Sequence, residues 1–401
     1  MRSGREWLAG AILASCGVLF AIGLLEAAVR WMHLVPDRFW EPDPVLGVRL
    51  IPGRSGWWTQ EDREFLVPVH INQQGARDVE HQFAKPPGSF RILVLGDSFV
   101  EAMHVPLEAT FARQLEGRLN GRGGGPHIEV VAAGVSGYGT ASELLYFERT
   151  GTRYQPDLVL LAFYPGNDVK NNSPTLEDTF KPVYASDGTL EKVRGEAHDH
   201  HSSPWLPRLY SYLYVRQMVL LRHPQFAESL LDHGLLRGEA IRTAPQRDGI
   251  PIDYGVYATP MSAEWQEAWA HTERLLGELQ SAVAASGAHF AITILSTRDQ
   301  VYPESWRQIV AAHPHMQGRT WDLDAPQHHV EAWCTQHAVP CVALGPTFAT
   351  VAARGGEALH YPHEGHWTAA GHRLAAETLE QFLETHRLVP ARQQGGSNEV
   401  H

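Results

Sequence analysis

Cysteine is scarce in this chain: its 401 residues include three, at positions 16, 334 and 341. A disulfide-rich secreted scaffold is therefore excluded, and no cysteine has the paired spacing typical of a zinc site or the context of a catalytic thiol. Cys334 and Cys341 are close enough, across a predicted helix end and turn, for one short disulfide. Two buried free thiols are the alternative.

Positive charge is also in deficit. Lys and Arg total 33 against 45 Asp and Glu, which gives a formal charge of −12, and no basic cluster is present. Non-specific binding of nucleic acid is thus disfavoured, because phosphates require clustered cations. Apolar residues make up 43% of the chain, enough for one large or two modest cores. Low complexity is confined to the end, and we predict a disordered tail at 389–401.

One long apolar run is present, near the amino terminus. No charged residue occurs from Trp7 to Leu25, a length close to the roughly 20 residues that span a bilayer as a helix. We predict a transmembrane anchor at 7–26. Arg2 and Arg5 place the preceding residues 1–6 in the cytoplasm by the positive-inside rule. The rest of the chain is then periplasmic or otherwise extracytoplasmic, on a single-pass protein of a bacterial inner membrane.

Two other interpretations of this run stay open. A cleaved signal peptide has the same general composition, although no convincing cleavage site precedes a polar mature start. The segment Leu13–Cys16 has the small-residue-then-Cys pattern of a lipoprotein signal, but the apolar run continues beyond it to Leu25.

The segment Arg91–Val100, RILVLGDSFV, contains four branched apolar residues and then stops at Gly-Asp-Ser. Such a run predicts a strand buried on both faces, as in a parallel sheet. Ser98 then lies where the carboxyl end of a strand meets the start of a helix, the usual location of sites in open α/β sheets. A helix cap and a nucleophile are both open roles for Ser98 on this segment alone.

The alternation of strand, turn and helix continues after Ser98. Strands are predicted at 128–132 and 158–163, each followed by a Gly-bearing polar turn, and Thr140 with Glu143 predicts a capping box for the helix after the first of them. Later strands are predicted at 290–295 and 339–344. This order is typical of a doubly wound parallel sheet.

Two segments depart from the alternation. Residues 27–88 are rich in Pro, Gly and Trp and predict a juxtamembrane segment of extended and turn structure. Residues 169–260 are rich in Pro, His, Tyr and Asp and predict an inserted lid or substrate platform within a domain at 89–388. The cluster His198–His201 in this insert is interpreted as a solvated loop rather than a metal site.

Four polar loops end the predicted strands or precede the last helix: GDS at 96, GVSG at 134, GND at 166 and EGH at 364. Their order and content resemble the SGNH (GDSL-like) hydrolase family, over about residues 90–386 apart from the insert. The upstream pattern Asp43–Gly47 with Ile71-Asn72 and Gly75 resembles membrane-anchored bacterial members. The resemblance implies a three-layer α/β/α, flavodoxin-like parallel sheet, here with an inserted lid region and an amino-terminal transmembrane helix.

The same resemblance implies roles for particular residues. Ser98 is the expected nucleophile, and His366 the general base and then acid. The oxyanion hole is expected from the Ser98 N–H, the Gly137 N–H and the side chain of Asn167. No metal and no cofactor is implied.

The last loop departs from the family pattern. Members commonly carry Asp three residues before the His, where this chain has His363; its acid, Glu364, lies two before. Glu364 could orient His366 to complete a triad, or a backbone carbonyl could do so and leave a dyad. His363 and His372 are interpreted as a rim and a helix-face residue. Asp97 and Asp168 are interpreted as structural.

These observations favour a membrane-tethered serine esterase that removes acyl groups, with acetyl as the leading candidate, from an envelope carbohydrate or lipid. A polysaccharide O-acetyltransferase with the same Ser and His is the first alternative. A non-catalytic envelope binding protein with the same fold is the second.

Overall fold

The computed structural model describes residues 4–60, 62–121, 125–176, 181–184, 190–194, 209–223, 226, 246–247 and 249–391. Within these ranges the strands are β1 Trp40–Asp43, β2 Gly47–Leu50, β3 Ser55–Thr59, β4 Leu66–His70, β5 Phe90–Gly96, β6 Ile128–Gly134, β7 Leu158–Phe163, β8 Lys181–Tyr184, β9 Leu190–Arg194, β10 Gln246–Arg247, β11 Ile250–Pro251, β12 Ala258–Thr259, β13 His289–Ile294, β14 Thr320–Trp321 and β15 Cys341–Ala343.

The α-helices are α1 Gly4–Trp31, α2 Ser98–Glu101, α3 Phe111–Asn120, α4 Thr140–Arg149, α5 Asp168–Asn171, α6 Tyr210–Arg222, α7 Ala263–Ala285, α8 Arg298–Val301, α9 Pro303–Ala312, α10 Ala325–Gln336, α11 Gly345–Ala353 and α12 Ala369–Thr385. Short 3₁₀ turns occur at Leu107–Ala109, Gly151–Tyr154, Ile252–Tyr257 and Pro314–Met316.

A five-stranded sheet organises the fold, in the order β15-β13-β7-β5-β6, and every pair in it is parallel. Counting these strands along the chain, the order is 2-1-3-4-5, which is the flavodoxin-like arrangement. The chain therefore has the predicted three-layer α/β/α fold. Its topological switch point lies between β5 and β7, where open α/β sheets bind their ligands.

Helices cover both faces of β5. Ile92 and Val94 belong to one apolar core with Phe111 of α3 and Leu379 of α12. Leu93 points the other way, toward the turn after α4, where a side chain added at Gly151 would meet it at 3.0 Å. Because all four apolar residues 92–95 are buried on one face or the other, a continuous apolar run is what this strand requires.

The capping box predicted at Thr140 and Glu143 is wrong. The N-cap of α4 is Gly139 and makes no side-chain cap hydrogen bond. Glu143 is buried instead, and burial raises its pKa well above the usual range. The motif matches by spacing, but Thr140 and Glu143 are both buried and neither caps the helix.

The chain divides into two compact units: Met1–Arg38 with Trp57–Leu66 and His198–Thr243, and Phe39–Gly56 with Val67–Ala197 and Ala244–His401. In the first, α1 contains a stretch, Glu6–Trp31, long and apolar enough to cross a membrane; its most apolar 18-residue window has a mean hydropathy of 2.4 and no buried residue. At its polar end, Glu26 accepts hydrogen bonds from the backbone N–H groups of Tyr210 (3.1 Å) and Ser211 (2.7 Å), at the start of α6.

The structure describes only some of the regions covered by the remaining predictions. Cys334 and Cys341 are free thiols, so the short disulfide is not formed. The expected juxtamembrane segment contains β1 to β4. Much of the expected insert at 169–260, including His198–His201, lies outside the described residues, as does the end of the predicted tail after 391.

Candidate active site

Three polar loops meet at the carboxyl edge of the sheet because β5, β6 and β7 end in register. Gly96 at the end of β5 pairs with Gly134 of β6 and with Ala162 of β7. Asp97, the next residue, ties two of the loops together: Oδ1 accepts from the Phe99 N–H (2.9 Å) and Oδ2 accepts from the Asn167 side-chain amide (2.9 Å). Asp97 is buried, and that burial raises its pKa. Its geometry matches the structural role predicted for it.

Ser98 is the first residue of α2, directly after the Asp97 cap. Its Oγ lies 2.7 Å from Nε2 of His366, a residue 268 positions later in the sequence. The other ring nitrogen of His366, Nδ1, lies 2.6 Å from Oε1 of Glu364. The structure thus brings together the serine, histidine and acid that the sequence analysis names. Their order in space is hydroxyl, imidazole, carboxylate.

Glu364 reaches His366 although only Gly365 separates them. Gly365 has φ +90°, a left-handed conformation that favours glycine. The turn lets Oε2 of Glu364 accept the backbone N–H of His366 at 2.9 Å while Oε1 faces the ring. Both carboxylate oxygens of Glu364 thus lie within hydrogen-bond distance of His366, at 2.9 and 2.6 Å. Burial by itself raises the pKa of Glu364, but hydrogen bonds from His104 and His366 outweigh it and hold that pKa below its usual range.

The loop that carries this pair is closed on itself. The Tyr361 N–H donates to the His366 carbonyl (2.8 Å), and the Gly365 N–H donates to the Tyr361 carbonyl (3.0 Å). Trp367 is fully buried, and its indole N–H donates to Ser296 Oγ at 3.0 Å. Thr368 then caps α12 by accepting from the Gly371 N–H. His366 is therefore fixed between a closed turn and a buried anchor.

The residues expected to form the oxyanion hole lie on the loops that follow β5, β6 and β7. Gly137 has φ +81°, and the turn around it is closed by the Tyr138 N–H on the Val135 carbonyl at 3.0 Å. Within the described part of the chain, neither the Ser98 nor the Gly137 N–H donates a hydrogen bond. Asn167 uses one side-chain N–H on Asp97, which leaves its second N–H for another acceptor. The oxyanion roles of these three remain predictions.

The other titratable residues named from the sequence have structural contacts. His372 is buried, and its Nδ1 accepts the Phe111 N–H at 3.2 Å. Asp168 is also buried and accepts the Tyr164 N–H at 2.9 Å. Burial raises the pKa of Asp168 well above its usual range. His363 is exposed, as a rim residue would be.

Two residues of the site were not found from the sequence. His104 places Nε2 3.0 Å from Glu364 Oε1 and stacks on the His366 ring, with centroids 4.0 Å apart and planes at 17°. The Phe99 ring packs against the same His366 ring, with centroids 4.5 Å apart. No local sequence pattern identifies His104 as a site residue, because it lies in an irregular turn after α2. For Phe99, the one indication in the sequence is its position directly after Ser98.

Two imidazoles and a carboxylate are also a donor set found in metal sites. Here each ring nitrogen that faces Glu364 is within hydrogen-bond distance of Oε1, at 3.0 and 2.6 Å. These distances are those of hydrogen bonds, and the ligand atoms of His104, Glu364 and His366 also lie within 4.8 Å of one another, as in a metal site.

No protein-family model and no curated protein matches this chain. Solved structures do resemble its fold. TesA is 14% identical, covering 75% of this chain and 99% of its own, with a TM-score of 0.37. A lipolytic protein of the G-D-S-L family from Veillonella parvula is 9% identical (73% and 97% covered, TM-score 0.35). A catalytic mutant of an acetylxylan esterase from Geobacillus stearothermophilus is 12% identical (73% and 94% covered, TM-score 0.37). Identities and TM-scores this low carry no information about function.

Proposed function

We propose that this protein is a serine ester hydrolase of the SGNH type, acting through an acyl-serine intermediate. The observation that carries the proposal is the continuous relay from Ser98 Oγ to His366 Nε2 at 2.7 Å and from His366 Nδ1 to Glu364 Oε1 at 2.6 Å. A serine hydroxyl is a weak nucleophile until a neighbouring base accepts its proton, and an imidazole needs a third group to fix its tautomer. The two short distances support both parts of the proposal.

The reaction follows from these positions. Ser98 Oγ attacks the ester carbonyl carbon while its proton passes to His366 Nε2, and the imidazolium is stabilised by Glu364. The developing oxyanion accepts hydrogen bonds from the Ser98 and Gly137 N–H groups and the Asn167 side chain. His366 then returns the proton to the leaving alkoxide. A water molecule, deprotonated by His366, hydrolyses the acyl-serine and regenerates the hydroxyl.

The proposed substrate is an O-acyl group, with acetyl as the leading candidate, on an envelope carbohydrate or lipid. An aromatic cluster supports the carbohydrate: the ring of Trp306 lies 5.6 Å from Tyr254, 5.9 Å from Tyr257 and 5.6 Å from Trp321. Tyr254, Trp306 and Trp321 are partly exposed. Asp253, beside Tyr254, pairs with Lys170 of α5 at 2.5 Å, which connects the cluster to the loop that carries Asn167. Partly exposed aromatic rings offer apolar faces against which a sugar can pack.

The apolar helix α1 supports attachment to a membrane. We propose a single-pass anchor in a bacterial inner membrane with the catalytic residues on the periplasmic side, because Arg2 and Arg5 precede the apolar stretch. An envelope substrate follows from that placement.

The test replaces the nucleophile. Ser98→Ala should abolish release of acetate or p-nitrophenol from acyl esters and should prevent labelling by a fluorophosphonate, because no alcohol remains at the relay. Ser281→Ala is the matched control, since Ser281 is exposed and, among the described residues, its hydroxyl donates to the Gly277 carbonyl of its own helix, at 2.8 Å. Activity retained by Ser98→Ala would refute the proposal.

The same acyl-enzyme could pass its acyl group to a sugar hydroxyl instead of water. Comparison of products with and without a polysaccharide acceptor separates the two: a transferase acetylates the acceptor, and a hydrolase releases acetate in both cases. Failure of the wild-type serine to react with fluorophosphonate would instead favour a non-catalytic binding protein.

A further inference from the structure

The carboxylate of Glu364 serves two imidazoles. Its Oε1 lies 2.6 Å from Nδ1 of His366 and 3.0 Å from Nε2 of His104. The side chains of Glu364 and His104 are 5% and 6% exposed. A buried carboxylate needs several donors, and His104 supplies one that the Ser-His-acid arrangement alone does not.

The turn that carries His104 is held from two sides. The buried guanidinium of Arg77 donates to the backbone carbonyls of Ala102 and Val105, each at 2.5 Å, and to that of Glu101 at 3.0 Å. Tyr361, from the loop that carries Glu364, donates its hydroxyl to the His104 carbonyl at 3.0 Å. The position of the His104 ring relative to Glu364 is therefore set by backbone contacts and not by the ring's own hydrogen bond alone.

His104 is neutral at physiological pH. Burial, together with the positive charge that His366 can carry, lowers the pKa of His104 to about 4, although the hydrogen bond with Glu364 acts in the opposite direction. A neutral ring whose Nε2 faces a carboxylate must carry its proton on that nitrogen. His104 thus donates a hydrogen bond to Glu364 without neutralising the negative charge that stabilises the His366 imidazolium.

We propose that His104 is a positioning residue that extends the relay to four members, Ser98, His366, Glu364 and His104. The inference rests on the proposed ester hydrolase and deepens it. His104 fixes the Glu364 carboxylate against Nδ1 of His366. Because His104 and His366 both hydrogen-bond to Oε1 of Glu364, the carboxylate stabilises the His366 imidazolium less than it would with His366 alone. Stacking of the two rings holds His366 in the plane that faces Ser98.

Loss of this donor has a defined consequence for the pH profile. The charged and titratable groups that act on His366 and His104 are Glu364, Asp97, Arg77, His360 and His372. Of these, Glu364 is the one that hydrogen-bonds both rings. Without His104, the negative charge of Glu364 acts on His366 alone and stabilises the imidazolium more strongly. The acid limb of the kcat/KM profile therefore moves to higher pH by roughly 0.5 to 1 unit.

The experiment compares His104→Leu, which removes the donor, with His104→Gln, whose amide N–H can replace it. The readouts are the pH dependence of kcat/KM for p-nitrophenyl acetate and kcat and KM at the optimum, all on the full chain. We expect His104→Leu to lower kcat about tenfold with KM unchanged and to shift the acid limb upward. His104→Gln should restore the wild-type limb.

His81→Leu is the matched control, because His81 is equally buried and pairs with one carboxylate, Asp78, at 3.2 Å. It should lower thermal stability without moving the limb. If His104→Leu loses stability as His81→Leu does and keeps the wild-type limb, His104 is only structural and the inference is wrong.

A second readout separates this inference from the proposed function. The downfield proton resonance of the Nδ1–H of His366, hydrogen-bonded to Glu364, can be followed by NMR in a Ser98→Ala background, where no turnover occurs. It should move on His104→Leu and return on His104→Gln. That result, with a wild-type protein that cleaves no ester, would leave the role of His104 standing and overturn the hydrolase. An unmoved resonance in a protein that does cleave esters would overturn the role of His104 alone.

Discussion

The contribution of Glu364 determines whether the site works as a Ser-His-Glu triad or as a Ser-His dyad. Glu364 accepts both the backbone N–H and the ring Nδ1 of His366, at 2.9 and 2.6 Å. A neutral amide at this position cannot stabilise the imidazolium, and it presents an N–H group that disfavours the productive tautomer.

We therefore expect Glu364→Gln to reduce kcat by roughly 10³ to 10⁴-fold with a small change in KM. Steady-state kinetics on p-nitrophenyl acetate measures this. Glu357→Gln, a substitution in an exposed ion pair with Arg373, should leave kcat unchanged. A Glu364→Gln variant with near wild-type kcat would identify the site as a Ser-His dyad.

Glu101 gives a pH dependence to stability rather than to catalysis. Burial raises its pKa to about 7 from the usual 4.5, although Ser136 and Trp40 donate to its carboxylate. The folded state then retains a proton that the unfolded chain loses between pH 4.5 and 7. Stability contributed by this group is fully present below about pH 4.5 and is lost as the pH rises to about 7.

The expected contribution is on the order of 3 kcal/mol across that window. Chemical denaturation at pH 5, 6, 7 and 8 measures it as the difference between wild type and Glu101→Gln, whose free energy of unfolding should depend less on pH. Glu357→Gln on the surface should follow the wild type. Parallel curves for wild type and Glu101→Gln would contradict the prediction.

At the scale of elements, the loop between Leu359 and Trp367 acts as one closed unit. Hydrogen bonds of Tyr361 with Gly365 and His366 close it, and the Thr368 N–H donates to the Leu359 carbonyl at 3.0 Å. Its one left-handed residue is Gly365, at φ +90°. A side chain there forces the backbone away from the conformation in which Glu364 reaches both His366 groups.

Gly365→Ala should therefore lower stability by about 1 to 2 kcal/mol and reduce kcat at least tenfold. Denaturant unfolding and steady-state kinetics on the same preparation measure both. Gly117→Ala is the matched control: Gly117 is exposed within α3, nothing lies within 4 Å of the added Cβ, and the change should slightly stabilise the protein. Unaltered activity in Gly365→Ala would mean that Glu364 does not need this turn.

At the scale of the whole molecule, the apolar helix makes a prediction about where the protein is found. Glu6–Trp31 is long and apolar enough for a bilayer. Expressed in a bacterium, the full chain should sediment with membranes and resist carbonate extraction, whereas a chain lacking residues 1–25 should be soluble and still cleave p-nitrophenyl acetate.

Controls distinguish the three interpretations of this segment. If Cys16 is lipidated, the wild-type chain should carry an added acyl mass that Cys16→Ser lacks; if the helix is the anchor, the two chains should differ in mass only by the substitution. The mass of the isolated chain should include residues 1–25; a mass that lacks them would show that the helix is a cleaved signal.

The sequence itself determined the parallel sheet and the positions of the polar loops. Strands buried on both faces, such as 92–95, leave an apolar run without polar alternation, and glycines with small polar residues mark the turn after each one, so local composition was sufficient. The Ser98, Gly137, Asn167 and His366 positions followed from a resemblance in four short blocks. Thr140 and Glu143 show the limit of local reasoning, because a correct capping spacing was overridden by burial.

Only the tertiary structure determined which side chains contact one another in the site. The distance between Ser98 and His366, the reach of Glu364 across Gly365, and the contact of His104 with that carboxylate depend on strands and loops remote in sequence. A histidine in an irregular turn has no periodicity or motif that predicts its neighbours, since its contacts are set by how β5 and the loop before α12 pack. The physical reason is that hydrophobic patterning specifies which elements form, whereas hydrogen bonding between distant loops is specified only once those elements are packed.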